Sequence, residues 1–159
     1  MDLKLNDLIV DITGVDTNDI FDSWKWCLTG INEVLLVSKM GDMFLLGKDM
    51  GVYWLAVDTG GTLTKIANGV KEFEQLLNNY DNVDNWFLPS LVEELLEARI
   101  TLNKNEVYSY KLLPVMGGQY KIDNILPINI KIHFKYNGII CEQIKDLPDG
   151  THVKIVVGD

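Results

Sequence analysis

Apolar residues recur along this chain at two different spacings, and the spacing changes several times. Over residues 5–29, Ile20, Phe21, Trp24 and then Cys27 or Leu28 fall at helical intervals. Asp16, Thr17 and Asn18 offer N-caps and Gly30 a stop, so a helical stretch is expected there. Trp24 and Trp26 cannot both face one way on such a helix. From Ile31 the texture becomes β-like. Short runs at Glu33–Ser38, Met43–Gly47, Val52–Val57 and Thr62–Ala67 are separated by turn signals at Met40-Gly-Asp, Asp49-Met-Gly and Asp58-Thr-Gly-Gly. Connections that short imply an antiparallel meander.

Helical spacing returns at Val70, Phe73, Leu76 and Leu77. Asn78–Asp84 reads as a polar loop, and Pro89 with Ser90 and Glu93 reads as a helix start with capping-box spacing. Leu91, Val92, Leu95 and Leu96 would face inward, and Glu93, Glu94 and Glu97 outward. Tyr108–Val115 is β-like again. Residues 128–136 alternate strictly and by pattern form a strand. Leu147-Pro-Asp-Gly predicts a turn before a last strand, His152–Val157. Helix, strands, helices, strands in that order predict an α+β fold: an antiparallel meander sheet packed against several helices in a single domain. Residues 1–30 would be a helical extension and residues 31–159 the domain itself.

Composition narrows the function classes. With 159 residues and 47% hydrophobic content, one domain can bury a core without disulfides or metals. No apolar run reaches the ~20 residues of a membrane span, and the acid-containing start does not read as a signal peptide. Cys27 and Cys141 lie far apart without a partner motif, which suits a reducing compartment. A cytoplasmic protein is expected. The net charge of −9 is uneven. Residues 71–100 hold seven acids against two bases, whereas residues 101–159 hold six against seven. Direct binding to nucleic acid or an anionic membrane is disfavoured, because phosphates require basic patches. A basic protein partner is compatible.

Candidate chemistry is sparse. Leu55-Ala-Val-Asp-Thr-Gly-Gly-Thr-Leu-Thr-Lys65 resembles the first phosphate loop of the sugar-kinase, actin and Hsp70 superfamily. That fold opens on the loop and needs far more chain after it, so a hairpin turn is the better reading. His133 and Cys141 could be imagined as a nucleophilic couple of a small hydrolase, but a lone cysteine in an apolar run is usually a core residue. No cofactor motif, metal-ligand spacing, P-loop or nucleophile elbow is present.

Three blocks carry a family resemblance. They are Tyr108-x-Tyr-Lys-x-x-Pro-x-x-Gly-Gly-x-Tyr120, Asp123-Asn124 and Glu142-Gln-Ile-Lys-Asp-Leu-Pro-Asp-Gly-Thr151. Together with Gly41-Asp-Met-Phe, Val57-Asp-Thr-Gly and Trp86-Phe-Leu-Pro-Ser-Leu, they resemble the C-terminal domain of bacterial type VI secretion immunity proteins, which protect cells from a secreted DNase effector. The resemblance spans about residues 31–155. Leu113 stands where a second proline would be expected, and only about thirty residues precede the matching region. The resemblance implies an α+β domain without enzymatic activity that binds a toxin and blocks it. It also implies a helix over about 128–145, which we adopt over the strand that the alternation suggests. Tyr110, Pro114, Gly117, Gly118 and Tyr120 would then be structural. The partner would be a cognate toxin with a basic surface, met by the acidic block Asp81, Asp84, Glu93, Glu94 and Glu97. That assignment comes from charge distribution alone. A non-enzymatic ligand- or protein-binding regulatory module of another kind is the alternative.

Overall fold

The computed structural model describes residues 2–154. Five strands form an antiparallel meander: β1 (Ile9–Val10), β2 (Ile31–Ser38), β3 (Met43–Gly47), β4 (Val52–Ala56) and β5 (Thr62–Ala67), in that spatial order. Helices α2 (Val70–Leu76), α3 (Tyr80–Phe87) and α4 (Pro89–Glu97) follow. A two-stranded antiparallel ribbon, β6 (Glu106–Tyr110) with β7 (Ile125–Asn129), leads into the longest helix, α5 (Ile130–Ile144). With α1 (Thr17–Phe21) this is a single α+β domain, as the order of the hydrophobic patterns predicts.

The core is organised around β3, all five residues of which are buried, so both faces of the sheet centre are covered. Phe44 stacks on Phe87 at 4.9 Å and on Phe73 at 5.6 Å, with Trp86 edge-on at 6.3 Å. These rings fix α2 and α3 against the sheet, and aromatic pairs of this kind add about 1 kcal/mol each beyond their buried area. The ribbon is tied to the sheet by Tyr108, whose backbone N–H donates to the Lys39 carbonyl at 2.8 Å and whose hydroxyl donates to the Ile100 carbonyl at 2.6 Å.

Several sequence expectations are corrected. The helical reading of residues 5–29 holds only for α1 and for two 3-10 turns, Leu5–Asp7 and Asp22–Trp24. Ile9 and Val10 instead pair with Ser38 and Val37 as an edge strand, and Gly14 breaks the run at φ 81°. Asn78–Asp84 is not a loop throughout. Asn79 caps α3 by accepting the Asp81 N–H at 2.9 Å, so the helix starts at Tyr80 and carries Trp86 and Phe87 in its last turn. Ser90 is not a cap. Leu88, at φ 51°, ends α3 and opens α4, with Pro89 at the first helical position. Strand β6 stops at Tyr110, and Pro114–Met116 is a 3-10 turn. The closing turn opens at Pro148, where the Thr151 N–H returns to the Pro148 carbonyl at 3.2 Å. His152–Lys154 has no regular structure, and the rest of the expected final strand lies outside the described residues.

The alternating segment 128–136 is helical from Ile130, as the resemblance implies. Asn129 caps α5 by accepting the Lys131 N–H at 2.9 Å. Asn137-Gly138, a helix-breaking pair by propensity, sits inside α5 for a packing reason. A Cβ at Gly138 would stand 2.5 Å from the Ser23 carbonyl oxygen. The Trp24 indole N–H donates to the Phe134 carbonyl at 2.9 Å, and the Trp26 indole reaches the Gly138 carbonyl at 3.2 Å. Trp24 is fully buried and Trp26 half-buried, so the Ser23–Trp26 segment is clamped onto α5 by close backbone approach.

Candidate functional site

Three of the blocks that carried the family resemblance, those of Gly41-Asp42, Val57-Asp58 and Tyr108–Tyr120, converge on one partly buried junction. Asp42 lies in the turn between β2 and β3, Asp58 in the hairpin between β4 and β5, Tyr110 at the end of β6 and Tyr120 in the loop beyond. Asp42 is buried and both its oxygens are engaged. Oδ1 accepts the Val57 N–H at 2.9 Å and Oδ2 the Trp54 indole N–H at 3.1 Å. The Tyr120 hydroxyl donates to Asp58 Oδ2 at 2.6 Å, and its ring meets Tyr110 edge-on at 5.6 Å. Tyr110 hydroxyl and Asp58 Oδ1 are buried without a hydrogen-bond partner among the described residues.

Burial first, and then the Asp58 charge, hold the Asp42 carboxyl well above the usual carboxylate range. Burial likewise pushes both tyrosines up, so their hydroxyls stay protonated, and Tyr120 acts as a donor. The hairpin reading of Asp58-Thr-Gly-Gly is upheld: the segment turns β4 into β5, with Gly60 at φ 93° and Gly61 at φ 87°.

The loop around Pro114 closes the junction. The Val115 N–H donates to the Asp58 carbonyl at 3.0 Å. Asn124, from the Asp123-Asn124 block, accepts the Leu112 N–H at 3.1 Å and donates to the Leu112 and Gln119 carbonyls at 2.9 Å each. The paired glycines have separate duties. Gly117 supplies a left-handed residue at φ 99°, whereas a Cβ on Gly118 would overlap the Leu112 carbonyl. Tyr110, Pro114, Gly117, Gly118 and Tyr120 are therefore brought together in one structural knot. Most of its polar groups are used on each other, and the Tyr110 hydroxyl and Asp58 Oδ1 are buried without a partner among the described residues.

His133 docks α5 onto the same region. Its Nε2 lies 2.8 Å from the Gly41 carbonyl, which can only accept, so the proton sits on Nε2. Nδ1 then accepts from the Ser109 hydroxyl at 2.8 Å, with the Asn137 amide at 3.1 Å. Burial lowers the histidine to about 4, keeping it neutral. It cannot serve Cys141, which stands eight residues further along α5 and so about 12 Å along the helix axis. Burial pushes the Cys141 thiol up to about 12 and Cys27 to about 11, which disfavours a nucleophilic thiolate at either. Gly41 matches this arrangement, because a Cβ there would strike the imidazole. The sequence reading missed His133 as a positioning residue. The signal was Gly41-Asp42, a turn whose glycine is required by a neighbour distant in sequence.

The acidic block lies elsewhere. Asp81 and Asp84 are exposed, three residues apart on one face of α3. Glu94 and Glu97 are exposed on α4, and Glu93 is half-buried beside them. The two sets occupy consecutive helices joined only by Leu88. Nothing in this block resembles a metal site, and among the described residues no group of acids, histidines and cysteines is arranged to hold one.

Comparison with known proteins places this geometry. Among solved structures, the fold is similar to that in "Crystal structure of Atu4351 from Agrobacterium tumefaciens", with a TM-score of 0.50 and 16% identity. The match covers 77% of this chain and 63% of that one, so this chain spans less than two thirds of the solved protein. At that identity the likeness concerns the fold alone. No curated protein matches. Residues 67–144 match the family described as "T6SS immunity protein Tdi1, C-terminal". That segment runs from the end of β5 through α5 and contains Tyr110, Pro114, Gly117, Gly118, Tyr120, Asn124 and His133. This match, over just under half of the chain, supports a relationship to the type VI secretion immunity family of the Tdi1 C-terminal kind.

Proposed function

We infer that this protein neutralises a cognate toxin of a type VI secretion system by binding it and occluding its working surface, without catalysis of its own. The observation that carries this reading is the family match over residues 67–144, which contains the loop of the knot. The toxin is a nuclease with a basic groove, and the immunity protein meets it in the cytoplasm, where the nucleic acid to be protected resides. Asp81, Asp84, Glu93, Glu94 and Glu97 supply the acidic surface on α3 and α4. A groove built for phosphates attracts such a surface at long range, and complementary charge raises the association rate more than the final affinity.

The test is co-purification of the chain with the product of the neighbouring toxin gene, followed by titration of nuclease activity. One equivalent should abolish DNA cleavage. An association rate that falls with added salt and with Asp84→Lys plus Glu94→Lys would locate the contact on α3 and α4. Binding that ignores both would move it elsewhere, and the absence of complex formation would overturn the reading.

A further inference from the structure

The cleft between α5 and the β6–β7 ribbon, of about 290 Å³, has apolar walls and a polar floor. Leu112, Met116, Leu126, Ile132, Tyr136 and Ile140 supply the walls. Ser109, His133 and Asn137 form the floor, and all three are buried. Buried polar groups normally have a hydrogen-bond partner. Whatever the floor leaves unpaired therefore defines what the cleft can take.

His133 leaves nothing unpaired. With its proton on Nε2, facing the Gly41 carbonyl, Nδ1 is a bare acceptor and takes the Ser109 hydroxyl at 2.8 Å. The Ser109 proton is thereby engaged. The Asn137 amide nitrogen stands 2.9 Å from the His133 backbone carbonyl and 3.1 Å from Nδ1. A carbonyl only accepts, so the atom facing it is the nitrogen, and the orientation of this amide is fixed. Its oxygen points the other way. Asn137 is only 6% exposed, yet among the described residues its Oδ1 accepts no hydrogen bond. Unlike Asp58 Oδ1 and the Tyr110 hydroxyl, it is not sealed from solvent, and it opens on the cleft that Asn137 lines. The Tyr110 ring also lines the cleft, but its hydroxyl is enclosed on the side of Asp58 and Asp42.

The floor thus presents an acceptor, no free donor and no charge, since burial keeps His133 neutral. Lys111 lines the cleft with an exposed side chain, and an ammonium that stays in water adds little to binding. A charged ligand would lose its water and meet no opposite charge on the floor. A wholly apolar ligand would strip Asn137 Oδ1 of water and leave it unpaired. A neutral body with one N–H or O–H donor avoids both penalties. Tyr136 and Met116 favour an aromatic body, through ring–ring and sulfur–ring contacts. The volume falls at the small end of the ~300–1,000 Å³ typical of ligand pockets, which suits a single small ring system.

We propose that this cleft is a binding site for a neutral aromatic group carrying one hydrogen-bond donor, an indole or a phenol, whose N–H or O–H donates to Asn137 Oδ1. Such a group arrives either as a free molecule or as a tryptophan or tyrosine side chain of a bound protein. The site goes beyond the immunity reading and does not rest on it.

The test is titration of the isotope-labelled full chain with indole, followed by two-dimensional NMR. Millimolar indole should shift resonances of α5 and of the β6–β7 ribbon, including the side-chain amide of Asn137, and leave α2–α4 unmoved. N-Methylindole, the same body without the donor, should bind at least about tenfold more weakly, because it leaves the acceptor unpaired. Phenol should outbind anisole in the same way. Altering the ligand avoids the folding risk of altering a buried residue. On the protein side, Ile132→Trp, at a position half in solvent, should fill the cleft and abolish the shifts, with circular dichroism checking the fold. N-Acetyltryptophanamide separates the two sources. Binding at least as tight as that of indole assigns the site to a partner's side chain, and weaker binding assigns it to a free molecule. The absence of shifts at the cleft, equal binding of indole and N-methylindole, or tighter binding of benzoate than of phenol would each overturn the proposal. The immunity reading, tested with the toxin, would stand in any of these cases.

Discussion

The buried junction and the acidic helices hold carboxylates in opposite circumstances. Asp42 has both oxygens engaged by fixed donors, and Asp58 spends one oxygen on Tyr120. Asp84, Glu94 and Glu97 stand in water on the outer faces of α3 and α4. A carboxyl tied to the backbone and to an indole positions a fold and is costly to disturb. A solvated one can be exchanged at little cost to folding and is free to meet a partner. The carboxylates that hold the fold together are therefore not the ones proposed to meet a toxin.

The sharpest way to break this contrast is at the paired glycines. Gly118→Ala should cost at least about 4 kcal/mol or abolish folding, because the added carbon would overlap a backbone carbonyl that cannot move independently. Gly117→Ala, with nothing near its Cβ, should cost only the left-handed strain of about 1–2 kcal/mol. Urea titrations that rank the two equally would refute the distinct duties assigned to them.

Titration of the junction sharpens the contrast further. His133, lowered to about 4 in the fold, adds stability that is fully present above its unfolded value of about 6.5 and is lost as pH falls toward 4. The full loss is about 3 kcal/mol at 1.36 kcal/mol per unit. Asp42 acts in the opposite sense. Its raised carboxyl contributes stability that is present below the unfolded carboxylate value and is lost as pH rises through the folded value. The two slopes oppose each other over the acid range. Asp42→Asn removes one of them, so this variant should lose stability between pH 6.5 and 4 more steeply than the unaltered protein. Denaturation midpoints at four pH values would show parallel curves if Asp42 were ionised in the fold.

On the exposed side the effects are smaller. Arg99 closes α4 at φ 61° with an exposed side chain, in the position where helices favour glycine. Arg99→Gly should stabilise the protein by about 0.5–1 kcal/mol, read as a rise in melting temperature. Smallest in stability is Asp84→Lys with Glu94→Lys, expected within about 0.5 kcal/mol of the unaltered chain. The same pair should slow toxin association severalfold at low salt. A large loss of stability there would mean that the acidic helices belong to the structural half of the comparison.

Hydrophobic periodicity made the α+β class and the four longer strands of the meander legible, because those strands are short and separated by glycine turns. It failed at 128–136, where Ile128, Ile130, Ile132 and Phe134 alternate as a strand would. The structure spends Ile128 on the β7 strand, buries Ile130 and Phe134, and leaves Ile132 exposed on α5. Only Ile132 of the four is exposed, so the alternation recorded burial on two different elements rather than one face of a strand. The acidic block was visible as charge, but its division between two helices depended on Asn79 capping α3 and on Leu88 taking a left-handed conformation.

By itself, then, the sequence determined the class of fold, the family blocks and the placement of net charge, all of which are local in the chain. Tertiary structure alone decided that Asp42, Asp58, Tyr110 and Tyr120 form one knot at the edge of the core, that Gly138 is required by Ser23, and that His133 requires Gly41. Each of those pairings joins residues far apart in sequence. Their energy comes from burial and from hydrogen bonds that exist only once the sheet, the ribbon and α5 have packed together.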